Sequence, residues 1–377
     1  MKRLVLAGAG HAHLEVLRDR ALARDESVEV TLVSPYPWFT YSGMVPGLIA
    51  GHYEIDALTL DLVPLCTAAG VTFVQSAIVR LDAAAREVTC ANGTTIAYDI
   101  LSLDVGVEPA IDGARGVARH AVLARPLERL VKGWTDLLVR AREGQVGAVT
   151  VVGGGAGGVE LAFAMEYRLR QELGLASAHV RLVSDVPRVA PAFPAGARRR
   201  LVRKFERRNI GLHLGAAVTE VGPDYLRLEQ GLEFATDAVF WATGGAAPSW
   251  LGTSGLAADD AGFVLTDPLL RSVSHPEVFA AGDCQTSREA PRPKAGVFAV
   301  RAGPVLAANL RAAPHGGALR PFATSPRFLA LISTGSRHAV AAWGGLIFEG
   351  GAAWRWKDRI DRRFLARYRD VASGALS

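Results

Sequence analysis

Two glycine-rich turns stand far apart in this 377-residue chain, each placed after a short apolar run and before a stretch with helical spacing. The first is LVLAGAGHAHLEVL, with Gly8 and Gly10; the second is VTVVGGGAGGVELAFAM, with Gly153, Gly155 and Gly158. A strand that ends in a tight glycine turn and feeds a helix points the open N–H groups of that helix at an anion such as a pyrophosphate. Gly8 and Gly153 permit the turn, while Gly10 and Gly155 let a ligand approach bare backbone. Gly158 lets the second helix lie close to its strand. In the first turn the matching residue is His13, after the small Ala12, so this turn is the less regular of the two. The pattern predicts an α/β chain with two Rossmann-like dinucleotide-binding domains. His11, Ala12 and His13 join Gly8 and Gly10 as candidate ligand contacts.

A third motif strengthens that reading. In HPEVFAAGDCQ, Gly282 and Asp283 follow a short apolar strand, and a carboxylate there suits the ribityl hydroxyls of a flavin. Two connectors echo each other, LSLDVGVEPA (Leu101 to Ala110) and VFWATGGAAP (Val239 to Pro248), each a strand leading to a glycine, Gly244 in the second, and then a proline. A dinucleotide fold usually ends its second strand on an acid that holds the ribose. The first unit departs from this with Ser34 and Pro35. The second has Ser184 followed by Asp185, which favours NADH, and by Arg188, which suits NADPH. Two further segments are expected near the flavin rings. PWFTYSGMVPG carries Thr40, Tyr41 and Pro46, and RPKAGVFAVRAGPVLAANL carries Lys294 and Ala295 at a helix start, where positive charge would stabilise reduced flavin.

The order of these motifs resembles the two-dinucleotide-binding flavoproteins of the pyridine nucleotide-disulfide oxidoreductase superfamily, which have the glutathione-reductase-like fold. The similarity runs from about residue 3 to about residue 310. Within the superfamily, GAGHAH, YSGMVPGLIAGHY, LALISTG and WKDRIDRRF resemble a flavoprotein group associated with selenide, water dikinase, and more distantly the type II NADH dehydrogenases. The resemblance implies FAD, with NADH or NADPH as hydride donor and a small acceptor, a quinone first. It also places Glu160, just past the second turn, near the nicotinamide and flavin rings. A sulfur- or selenium-handling flavoenzyme and a flavin-based redox sensor are the alternatives. The implied organisation is a flavin domain in two segments (1–115 and 246–320), an inserted NAD(P)H domain (116–245) and a C-terminal module (321–377).

Composition narrows the remaining classes. At 50% hydrophobic and a formal charge of +5, the chain has material for substantial cores and no run long enough for a membrane span. The basic run ARRRLVRKFERRN has helical spacing and no interleaved aromatics, so it reads as a solvated face rather than a nucleic-acid surface. Cys66, Cys90 and Cys284 form no C-x-x-C pair, which argues against disulfide reduction, and no residue cluster suggests a metal. The first strand starts at once, so a cytoplasmic chain without a signal peptide is expected. Trp356, Ile360, Phe364 and Tyr368 fall four apart near Arg359, Arg362, Arg363 and Arg367. Such a helix packs on the flavin domain or a dimer partner, or lies on the inner face of a membrane.

Overall fold

A computed structural model describes residues 1–111, 113–323, 325 and 328–375. Two five-stranded parallel sheets dominate it. The first has the spatial order Val278–Ala280, Ile100–Leu103, Lys2–Ala7, Val28–Ser34, Thr72–Gln75. The second has the order Ala121–Leu123, Ala238–Trp241, Ala148–Val152, His179–Ser184, Gly211–Leu214. Parallel strands covered on both faces must be apolar almost throughout, which is why Leu4 to Ala7 and Val149 to Val152 are all buried. The central strand of each sheet is the one that runs into a glycine turn. Helix His11–Leu22 follows the first and Ala156–Glu166 the second. The motif therefore sits at the carboxyl end of a central strand, beside the point where the sheet order reverses.

The chain passes between the sheets twice, and the two passages are tied together. Glu108 pairs with Ala246 and Pro109 with Gly245 in a short antiparallel ladder. The Trp241 indole N–H and the Thr243 hydroxyl both donate to the Ala110 carbonyl, at 2.8 and 3.0 Å. The two connectors that look alike in sequence thus become the two strands of one ribbon.

Helix Gly296–Ala312 lies along His11–Leu22, and the pair approach closely at Gly303, where a methyl group would come within 2.9 Å of the Glu15 side chain. After it come three antiparallel strands, Ala330–Ser333, Ala339–Trp343 and Leu346–Gly350, and the long helix Gly351–Ala372. That helix is pinned to the first half of the molecule. The Tyr368 hydroxyl donates to Glu15 at 3.0 Å, and Arg369 donates to the carbonyls of Asp56, Ala57 and Thr59. The aromatic series read from the sequence splits in space: Phe364 and Tyr368 are buried, while Trp356 and Ile360 are exposed. A spacing of four overshoots a 3.6-residue turn by about 40° at each step, so the series winds from solvent into the core.

Candidate functional site

The two glycine turns are built alike and lined differently. Gly8 has φ +87°, its N–H donates to Val33 at 2.8 Å, and a Cβ on it would stand 2.6 Å from the Asp104 carbonyl oxygen. Gly153 has φ +124°, its N–H donates to Val183 at 2.8 Å, and a Cβ would collide with the Ala242 carbonyl. Asp104 and Ala242 hold the same place in the two echoing connectors. At the second turn a methyl on Gly155 or Gly157 would meet nothing within 4 Å, whereas one on Gly158 would strike the Gly153 carbonyl. That turn offers an open seat for a pyrophosphate at the helix end.

At the first turn the Asp104 carboxylate enters the corresponding space. It accepts from the backbone N–H of Ala12 at 2.8 Å and of His13 at 3.0 Å, and a side chain on Gly10 or Gly282 would collide with it. The N–H groups of Gly10 and His11 make no bond among the described residues. The residues present fit a flavin dinucleotide at Gly8, at those two N–H groups and at Asp283, while Asp104 takes the next two donors inward. His13, in the third-glycine position, is fully buried. Its Nδ1 donates to the Gly8 carbonyl at 2.5 Å and its Nε2 accepts from the Ser102 hydroxyl at 2.8 Å. Burial lowers its pKa, so the neutral imidazole serves as a hydrogen-bonded wedge where a glycine would allow direct contact.

His11 stands at the mouth of this turn with its edge toward Phe39 and Tyr41, at ring-centroid distances of 5.0 and 5.7 Å. Burial depresses its pKa to about 4, which keeps it neutral. The start of helix Gly296–Ala312 lies beside it, since a Cβ on Gly296 would be 3.7 Å from the His11 ring. Ala295 caps that helix. The Lys294 ammonium donates to the Gln285 carbonyl at 2.5 Å and lies 3.7 Å over the Phe263 ring. Its charge is therefore engaged by those two groups. The Asp283 carboxylate is 3.7 Å from the Arg125 guanidinium. Burial raises its pKa and Arg125 opposes the rise. Ser34 is buried at the end of its strand, Pro35 is exposed, Thr40 lies 3.4 Å from Glu128, and Pro46 is buried in the helix Val45–Ile49. Gly244 accepts from the Ala110 N–H at 3.2 Å within the ribbon, and Asp185 is exposed at the end of the second-sheet strand.

Glu160, in the second turn of helix Ala156–Glu166, faces a cluster assembled from three other parts of the chain. It accepts from the Ser333 N–H at 2.8 Å. Burial pushes its pKa up to about 7 against the pull of Lys357 and of that N–H bond. Lys357 donates to Asp361 at 2.7 Å and to the Gly43 carbonyl, and the Tyr41 hydroxyl donates to Asp361 at 3.1 Å. Burial works against the Lys357 charge, but Asp361 and Glu160 outweigh it and its pKa is raised. Tyr41 also stacks on Phe364 at 4.7 Å. The result is a half-buried acid that titrates near neutrality beside a buried ion pair.

Sequence reasoning missed Asp104, Arg125, Lys357 and Asp361. Asp104 had a signal, being the charged residue where the second connector has Ala242. Lys357 and Asp361 had one too, as polar residues four apart inside an aromatic helix face. Arg125, in a loop before Pro126, had none. The three cysteines are separate and buried. Burial pushes the thiols of Cys66 and Cys284 up to about 12, so neither is a thiolate near neutrality.

The chain belongs to the pyridine nucleotide-disulphide oxidoreductase family, whose model matches residues 2–303. It is 27% identical over 302 residues to an NADH dehydrogenase-like protein of Mycobacterium tuberculosis, covering 76% of this chain and 74% of that one. It is 24% identical over 314 residues to the internal alternative NAD(P)H-ubiquinone oxidoreductase A1 of Arabidopsis thaliana, covering 75% of this chain and 61% of that one. Among solved structures, NDH2 from Plasmodium falciparum in complex with NADH superposes with a TM-score of 0.83 at 15% identity, covering 98% of both chains. The class is thus an oxidoreductase of the flavin- and pyridine-nucleotide-binding fold. Among the described residues no helix is long and apolar enough to cross a membrane, and no group of side chains is arranged to hold a metal ion.

Proposed function

We propose that this chain is an NAD(P)H:quinone oxidoreductase, in which the segment 116–245 holds the nicotinamide dinucleotide and the segments 1–115 and 246–320 hold FAD. The observation that carries the proposal is the cluster of Glu160, Lys357, Asp361 and Tyr41. Bound FAD would supply the hydride-accepting and electron-passing chemistry that protein side chains lack. Their work is positional and electrostatic. Gly8, the N–H groups of Gly10 and His11, Arg125 and Asp283 bind and orient one dinucleotide, and Gly153, Gly155 and Asp185 the other. A quinone reduced to its quinol gains two electrons and two protons; the donor's hydride accounts for both electrons and one proton, and the second proton must come from an acid of the site. In this reading Glu160, whose carboxyl group keeps its proton up to about pH 7, is the acid that gives a proton to such an acceptor. Lys357, held by Asp361 and Gly43, supplies a fixed positive charge beside that proton, and the bond from Tyr41 keeps Asp361 in place. The names of the Mycobacterium and Arabidopsis relatives support this choice of donor and acceptor.

The C-terminal module supports a second element of the proposal, contact with a lipid surface. The hairpin tip exposes Trp343 (54%) and Leu346 (68%), and Phe348 stacks on Trp356 beside exposed Ile360. Arg355, Arg359, Arg362 and Arg363 lie on the adjoining helix. Aromatic anchors with basic neighbours suit the inner face of an anionic membrane, where a quinone resides.

Anaerobic titration tests the main reading. Bleaching of bound flavin by NADH or NADPH, followed by reoxidation with a short-chain quinone, is the expected result. A flavin that neither donor bleaches would refute it. Liposome pelleting with and without Trp343→Ser and Leu346→Ser tests the lipid contact, and unchanged partitioning would remove it.

A further inference from the structure

The second sheet has an unclaimed feature on its outer edge. Between helix Ala195–Arg207 and strand Gly211–Leu214 runs a cleft of about 680 Å³, with an apolar floor that includes Val202 and Leu214. Four arginines line it: Arg188, Arg198, Arg199 and Arg203. None of the four forms an ion pair with a carboxylate among the described residues. Arg198 is held in place by donating to the Phe193 carbonyl at 3.2 Å, and Arg203 lies 3.4 Å from the Arg199 carbonyl. Four guanidinium groups around one cleft repel one another unless an anion joins them, and a phosphate monoester accepts their paired N–H groups.

One wall of the cleft, Pro187 to Val189, belongs to the loop that backs onto the second glycine turn. The Ala190 N–H donates to the Gly154 carbonyl at 2.7 Å, and a Cβ on Gly154 would be 3.5 Å from the Arg188 carbonyl oxygen. The loop that carries Arg188 is therefore laid against the turn that would hold a pyrophosphate. The residue ending the neighbouring strand is Ser184, buried to 2%, whose hydroxyl lies against Gly154 and 3.3 Å from the Val186 N–H. An acid in that position would bind the ribose hydroxyls and repel a 2′-phosphate. Here the strand ends on an uncharged serine, and the acid that follows it, Asp185, is exposed to solvent, which weakens that repulsion.

We propose that this arginine cleft is the seat of the adenosine 2′-phosphate, and that the hydride donor is NADPH in preference to NADH. Arg188, nearest the turn, and Arg199 on the helix are the specificity-determining residues. This inference rests on the reading that the second turn holds a nicotinamide dinucleotide.

The test is calorimetric titration of the flavin-loaded protein with four adenine nucleotides: NAD⁺, NADP⁺, 5′-AMP and 2′,5′-ADP. The expected result is binding of NADP⁺ and 2′,5′-ADP at least 10-fold tighter than of NAD⁺ and 5′-AMP, with the advantage falling steeply with salt. Arg188→Ala with Arg199→Ala should bring the two series to equal affinity while leaving NAD⁺ binding unchanged. Both side chains are exposed, so the variant is expected to fold. Equal affinities in the wild type, or an advantage that survives in the double variant, overturns the proposal while the dinucleotide reading stands. If none of the four binds, the reading of the second turn fails as well.

Discussion

Replacing Glu160 by Gln removes a charge from the cluster while keeping an oxygen that can accept the Ser333 N–H. The Glu160 carboxyl is raised from an ordinary 4.5 to about 7, chiefly by burial. Between those two values the folded protein binds a proton that the unfolded chain has released, so the stability contributed by this residue falls as pH rises from 4.5 and levels off above 7. At about 1.4 kcal/mol per pH unit, ionising this group in the fold costs at most about 3 kcal/mol at pH 8. Gln has nothing to ionise. Glu160→Gln should therefore raise Tm over the wild type by a few degrees at pH 8, with the difference shrinking to nothing by about pH 4.5. Thermal scans across that range measure it directly. The same variant should slow flavin reoxidation by a quinone and lack the decline in rate expected of the wild type above pH 7. A stability difference that does not change with pH, or one of the opposite sign, would refute the assignment of a near-neutral titration to Glu160.

Three further outcomes follow from the geometry. Gly10→Ala drives a methyl group into the Asp104 carboxylate, so the purified variant should carry far less flavin, seen as a drop in absorbance near 450 nm. Asp104→Ala leaves the Ala12 and His13 N–H groups without their acceptor and should cost about 1–2 kcal/mol, read in thermal or urea unfolding at pH 7. Cys284→Ala and Cys66→Ala, tested singly, should keep quinone reductase activity within about twofold, because both thiols stay protonated; loss of turnover with flavin retained would revive the sulfur-handling alternative.

The fold was legible where its requirements are local. A positive φ at Gly8 and Gly153 and a bare approach at Gly155 are demands that one residue type meets, and the strand and helix on either side show as apolar runs. His13 was visible as a departure, but its explanation lies 89 residues away at Ser102. Glu160 was marked through family resemblance. Its partners come from the 41–43 loop, from Ser333 and from the last helix, and only tertiary packing brings them together. The C-terminal series misled in one respect. Four equally spaced aromatic and aliphatic residues look like one face, yet the helix turns Trp356 outward and Phe364 inward.

The paired connectors at Glu108–Pro109 and Gly245–Ala246 have a mechanical consequence. A single covalent link would let one nucleotide site swivel on the other about any bond along it. Two strands hydrogen-bonded to each other, with Trp241 and Thr243 locked onto the same carbonyl, bend and twist only as a ribbon does, stiffly in one direction and softly in the other. The spacing between hydride donor and acceptor is then a property of that ribbon. Loosening it at Trp241 would change how often the two rings meet while leaving each site able to bind its own dinucleotide.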